Sequence, residues 1–261
     1  MELRHETKQR ASLSPAVWRD IPLEQQRLIR HKGFFFIDDF LTAPTFATAT
    51  PQAPYITVQD TGVTIKGETT MYGGVMEIAG ADAANDDGGI QHGMNVYGLG
   101  AIDTSHPYDV AFECRWRTPS TASVSHFIGI AEPGRAVAGT LADSTGALVD
   151  KDMIGFHILT AAATTMNFVY RKEGETAVTA VAGVVTVAAD TWYKLGFRYT
   201  ARNKRLTAYV NGEEVGYVNL AAATTFPTAV LMAPLWFLKA HTTAEKKALL
   251  DWWAFSMTYD G

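Results

Sequence analysis

The chain has 261 residues, 47% of them apolar and 19% charged, which is enough to bury a core as one sandwich-sized unit. Its single cysteine, Cys114, excludes an intramolecular disulfide, and no run of about 18 apolar residues is present to cross a bilayer as a helix, the richest stretch being Ala229–Leu238. The net charge of −5 is uneven, with seven Lys/Arg against four Asp/Glu in residues 1–33 and 15 against 23 in the rest, and an acidic body argues against a nucleic-acid groove.

The opening MELRHETKQR is polar and lacks the apolar stretch of a secretory signal, which points to folding in cytosol, with neither membrane nor nucleic acid as partner. Ser14-Pro15 places a capping residue before a proline at the first helical position and predicts a short helix through Ala16-Val17-Trp18-Arg19. A second helix is predicted from Pro22 to a stop at Gly33, with Leu23, Leu28 and Ile29 on its narrow apolar side and Arg27 and Arg30 among its basic residues. Residues 1–33 thus read as an arm. Trp18 with Leu23, Leu28 and Ile29 forms an apolar set with little core of its own, suited to anchoring in a partner's groove.

After Gly33 the helical period gives way to alternation of period two. Tyr108, Val110, Phe112, Cys114 and Trp116 alternate with Asp109, Glu113, Arg115 and Arg117, and Tyr193, Leu195, Phe197 and Tyr199 repeat the pattern. Asn211-Gly212 after Arg205–Val210 signals a tight hairpin. Further strands are predicted at 34–37, 56–58, 62–66, 75–78, 126–131, 154–159, 166–171, 177–181, 229–238 and 250–259. So many strands with turn residues between them and almost no helix predict an all-β antiparallel two-sheet sandwich of jelly-roll type over residues 34–261.

No constellation for catalysis emerges. The acidic pairs Asp150/Asp152 and Glu173/Glu175 lack the run of alternating carboxylates that flanks a glycosidic bond. The seven histidines show no metal-ligand spacing, and neither a nucleophile elbow, a dinucleotide fingerprint nor a phosphate loop occurs, so no enzyme activity, metal or cofactor is expected. Cys114 lies in the apolar register of its strand and is expected to be buried. Asp82–Gly89 gathers oxygen ligands beside glycines, a composition that a calcium ion could use. Trp252 is expected to face outward from the last strand, where its ring could stack on a sugar, with Trp253, Phe255 and Met257 inward.

WYKLGFRYTARNKRLTAYVNGEEVGYV at 192–218, FFFIDDF at 34–40 and LLDWWAFSM at 249–257 resemble strands of concanavalin A-like, laminin-G-like jelly rolls, a fold that hosts lectins, glycosidases, adhesion modules and virion proteins. The "DDF" opening, the "VNG" hairpin and the final "DW" strand are also similar to capsid-associated proteins of tailed bacteriophages. That resemblance implies a virion structural protein that decorates and stabilises the capsid exterior. It would be a trimer assembled in the host cytoplasm, bound to the major capsid protein lattice with help from its arm. The other reading that the fold class implies is a carbohydrate-binding module or phage adhesin, with a glycan as partner; a polysaccharide-degrading enzyme is the third.

Overall fold

The computed structural model describes residues 13–19, 21, 33–41, 46–47, 55–68, 71, 74–81, 83–93, 97–99, 108–160, 164–221, 223–227 and 230–259. In chain order its elements are α1 (Pro15–Trp18), β1 (Gly33–Asp38), β2 (Phe46–Ala47), β3 (Tyr55–Gln59), β4 (Thr64–Gly67), β5 (Met76–Ala81), β6 (Asp87–His92), β7 (Tyr97–Leu99), β8 (Tyr108–Arg117), β9 (Val124–Ala131), α2 (Arg135–Ala138), β10 (Met153–Ile158), β11 (Thr165–Arg171), β12 (Val178–Thr186), β13 (Tyr193–Thr200), β14 (Arg205–Val210), β15 (Glu213–Asn219), β16 (Val230–Ala240) and β17 (Lys246–Tyr259).

Two sheets form the sandwich. The eight-stranded sheet runs β15-β14-β13-β8-β17-β5-β4, with β1 on the far half of the long β17. The nine-stranded sheet runs β12-β11-β10-β9-β16-β6-β3-β2, with β7 on β16. Pairing is antiparallel except for the short β2–β3 contact. The side-chain period decides what lies between the sheets: Val110, Phe112, Cys114 and Trp116 of β8 face Ile128 and Ile130 of β9 and Ile154, Phe156 and Ile158 of β10 in one core. Cys114 is fully buried there. The register of β17 shifts between Leu250, opposite Trp116, and Trp252, opposite Arg115. That bulge leaves both Leu250 and Trp253 in the core while Trp252 takes the other face.

Part of each outer face is covered by the chain itself. On the eight-stranded sheet Val17 and Trp18 of α1 pack with Ala111, Tyr209, Trp252 and Ala254 in a second cluster. On the nine-stranded sheet the segment between β9 and β10, which carries α2, buries Ala136, Leu141 and Leu148 against Phe127, Val169, Leu235 and Phe237. The short helix expected after Ser14 is present as Pro15–Trp18. The helix expected from Pro22 lies outside the described residues, and Gly33, expected as its stop, is the first residue of β1.

Candidate functional site

Polar side chains on the outer face of the nine-stranded sheet clamp the covering loop by its backbone. His157 donates from Nε2 to the Gly146 carbonyl at 2.7 Å, Gln91 donates to the Glu132 carbonyl at 2.8 Å, and Arg171 donates to the Leu148 carbonyl. Ser125 Oγ lies 3.0 Å from His241 Nε2 and 2.8 Å from Thr160 Oγ1. Gly146 closes over this group with φ of 66°, and a Cβ there would sit 1.9 Å from Ser125 Oγ. The serine is therefore a buried hydrogen-bonding post (0% exposed), and burial holds the His241 imidazole below its ordinary range.

Lys239 is the centre of the same end of the sheet. Its side chain is 1% exposed, and its ammonium lies 2.5 Å from Asp87 and 2.9 Å from Asp143, with the Asn85 carbonyl at 3.3 Å. Burial works against the ammonium, but hydrogen bonds to the two carboxylates outweigh it and raise its pKa. Burial also pushes Asp87 up to about 6, with Lys239 pulling the other way. The acid-rich segment expected to suit calcium is thus organised differently among the described residues. Asp87 opens strand β6 and pairs with Lys239, while Asp86 accepts the Ala83 N–H at 2.8 Å. A side-chain cation gathers the Asp87, Asp143 and Asn85 oxygens, and Asp82 lies outside the described residues.

A carboxylate group lies where the covering loop returns to the sheet. Because β10 and β11 pair from Met153 opposite Arg171, Asp152 and Glu173 meet, and Glu132 joins them with ligand atoms within 4.8 Å of one another. These three could hold a cation by geometry, but the Lys151 ammonium lies on Glu132 at 3.5 Å and also on Glu173. Asp152 accepts the Glu173 N–H at 3.1 Å and Asp150 accepts that of Gly174 at 2.9 Å, so the acidic pairs noted in the sequence brace a turn. Burial raises the pKa of the Asp152 carboxyl.

The residues singled out in the sequence fall elsewhere. Trp252 does face outward from β17, as the alternation predicts, but it is 1% exposed beneath Val17 and Trp18 and offers no open ring to a sugar. Trp18 is likewise spent within the chain: it is 6% exposed, and its indole N–H donates to Glu113 Oε2 at 2.7 Å. The expectation that it anchors in a partner's groove is corrected on that ground. Leu23, Arg27, Leu28, Ile29 and Arg30 lie outside the described residues. Sequence reading missed Lys239, His241 and Ser125, because Ser125 is far in the chain from the other two and no motif joins them; the outward register of Ser125 on β9 and of Lys239 on β16 is the signal that could have flagged them.

No family model matches the chain, and no curated protein matches it. Solved structures do. A protein of unknown function from Shewanella oneidensis MR-1 aligns at TM-score 0.56 and 15% identity over 91% of this chain and 94% of its own. The basic lectin of winged bean, solved with Tn-antigen, aligns at 0.52 and 13% over 88% and 100%. The Bacillus licheniformis β-glucanase aligns at 0.52 and 12% over 85% and 97%. What the chain shares with them is the fold, a concanavalin A-like jelly roll.

Proposed function

We propose that the chain is a non-catalytic carbohydrate-binding module that meets its saccharide at the loop rim around Lys239. The observation that carries this reading is the buried ammonium beneath an exposed polar edge. Asp143 has a side chain 75% exposed although Lys239 holds it, and Asn85 is exposed in a left-handed turn whose carbonyl the same ammonium grips. Fixed planar acceptors of this kind bind sugar hydroxyls with little loss of side-chain freedom. The lectins among the structures of the same fold support this reading.

A glycan array comparing the wild type with Asp143→Ala and Asn85→Ala tests the proposal. Binding to a defined set of saccharides is expected, as is its loss in both variants at a temperature where each is shown to be folded. An empty array, or binding indifferent to both substitutions, would sink it, and hydrolysis of a polysaccharide abolished by one Asp or Glu substitution would reinstate the enzyme reading.

The virion reading, with its trimer, capsid lattice and exterior location, draws no support from the neighbouring folds. Its arm loses Trp18 to the chain's own sheet and keeps only the segment with Leu23, Arg27, Leu28, Ile29 and Arg30.

A further inference from the structure

The eight-stranded sheet carries a cationic group outside the sites described above. Arg115 and Arg117 follow one another on the outward side of β8, and their guanidinium carbons lie 4.4 and 5.0 Å from the ring centroid of the partly exposed Trp192. The two arginines are partnered very differently. Arg115 is bound to Asp251, whose side chain is 2% exposed. Arg117 has a side chain only 17% exposed, yet among the described residues its polar neighbours are the Met71 sulfur at 4.0 Å and one Asp190 oxygen at 4.0 Å.

Neither contact is a hydrogen bond to oxygen, and among the described residues the buried Arg117 Nε has no hydrogen-bond partner. A guanidinium carries five N–H donors, and stacking on a ring engages its π face while leaving those in-plane donors unsatisfied. Protein interiors seldom leave such donors empty, and a charged one costs more than a neutral one. Asp190 is 65% exposed and stands beyond hydrogen-bond distance, so it can give way to a better acceptor.

We propose that Arg117, braced by Trp192, is an oxyanion site that takes a carboxylate or sulfate, either free or carried on an acidic saccharide. The guanidinium fork matches two oxygens of either group. Trp192 holds the fork in place before the anion arrives, and Arg115 adds positive charge beside it. The site lies on the other sheet from the Lys239 rim and stands or falls independently of it.

The test is isothermal titration of the full chain at low salt with sodium sulfate, sodium glucuronate and neutral glucose. Saturable binding of at least one anion, and none of glucose, is expected. Arg117→Gln should weaken that binding at least about tenfold without moving the melting temperature, Arg117→Lys should fall between the two, and Asp190→Asn should tighten it several-fold by removing the competing carboxylate. A preference for glucuronate marks a saccharide-borne acid, and equal binding of sulfate marks a general oxyanion. Absence of saturable binding in both the wild type and Asp190→Asn overturns the proposal, as do identical isotherms for wild type and Arg117→Gln. Should Arg117→Gln fail to fold, Asp190→Asn decides, since unchanged affinity there also refutes it.

Discussion

The Trp18 indole N–H and the Ser14 backbone N–H both donate to one oxygen of Glu113, at 2.7 and 2.9 Å. Glu113 stands on β8 at 1% exposure, on the outward side of the sheet. A residue at the start of the chain is thus tied to a strand in its middle, and the tie sits over Ala111, Tyr209, Trp252 and Ala254. Trp18 edges onto Phe35 of β1 as well, with ring centroids 5.6 Å apart. Trp18→Ala removes the lid of this cluster and leaves the Glu113 oxygen short of a donor. The expected cost is about 3–5 kcal/mol, measured by urea denaturation, and Trp252 should become open to acrylamide quenching. A variant as stable as the wild type would mean that the segment does not hold this position.

Glu113 also predicts a pH effect. Burial raises its pKa above the ordinary carboxylate value, against the pull of the Ser14 and Trp18 hydrogen bonds. An acid with a raised folded pKa binds its proton more tightly folded than unfolded, so its contribution to stability falls as pH rises from the unfolded value through the folded one. Glu113→Gln keeps an acceptor for both donors and removes the charge. The difference in melting temperature between variant and wild type should therefore move in favour of Gln between pH 4 and pH 8. A constant difference over that range would show that the carboxyl is not perturbed.

The histidines of the nine-stranded sheet act in the opposite direction. His126 lies between the sheets at 1% exposure, edge-on to Trp116 at 5.2 Å. Burial lowers its pKa to about 3, the Ser120 backbone opposing and His157 adding to the shift, while burial takes His157 itself to about 4. Below the unfolded value near 6.5 the unfolded chain binds protons that the folded chain refuses. Stability is then complete above about pH 6.5 and falls as pH drops toward 4, by an amount on the order of several kcal/mol for His126. His126→Phe should flatten the acid limb of a plot of stability against pH. An unaltered acid limb in that variant would assign acid unfolding to other groups.

How much of this was legible in the sequence follows from what each signal depends on. The strands with clean alternation, β8 and β13, and the β14–β15 hairpin were readable because one wet face makes the period visible. Asn211 and Gly212 both adopt the positive φ, 52° and 85°, that such a turn requires. By contrast the first half of β6, Asp87 to Gly89, reads as part of an acid-rich loop, since Gly88 and Gly89 look like turn residues. They serve close packing on the two faces of the strand instead, Gly88 toward the core between the sheets and Gly89 toward the cluster under the covering loop. A Cβ on Gly88 would stand 2.3 Å from Ile78, and one on Gly89 2.5 Å from the Phe237 ring, so the strand needs glycine to admit neighbours that the sequence does not announce. Coverage of the outer faces was illegible for a similar reason. Taken locally, Trp252 reads as outward-facing and Trp18 as an anchor without a core of its own, and their meeting buries both.

Lys239 offers the sharpest test of the loop rim. A charge at 1% exposure is tolerated because Asp87 and Asp143 surround it, and removing one partner from a buried pair strands the other. Lys239→Met should cost about 3–5 kcal/mol near neutral pH. Because Asp87 already titrates near 6 with the ammonium in place, loss of the ammonium should raise that value further, so the penalty should shrink at pH 5, where Asp87 becomes neutral. Adding Asp87→Asn to Lys239→Met should recover part of the loss at pH 7 and little at pH 5. The rim above should lose its order at the same time, visible as faster amide exchange in residues 83–87 and 142–147. If the single variant is as stable as the wild type and those amides stay protected, the ammonium does not organise the loops, and the saccharide site proposed above them loses its base.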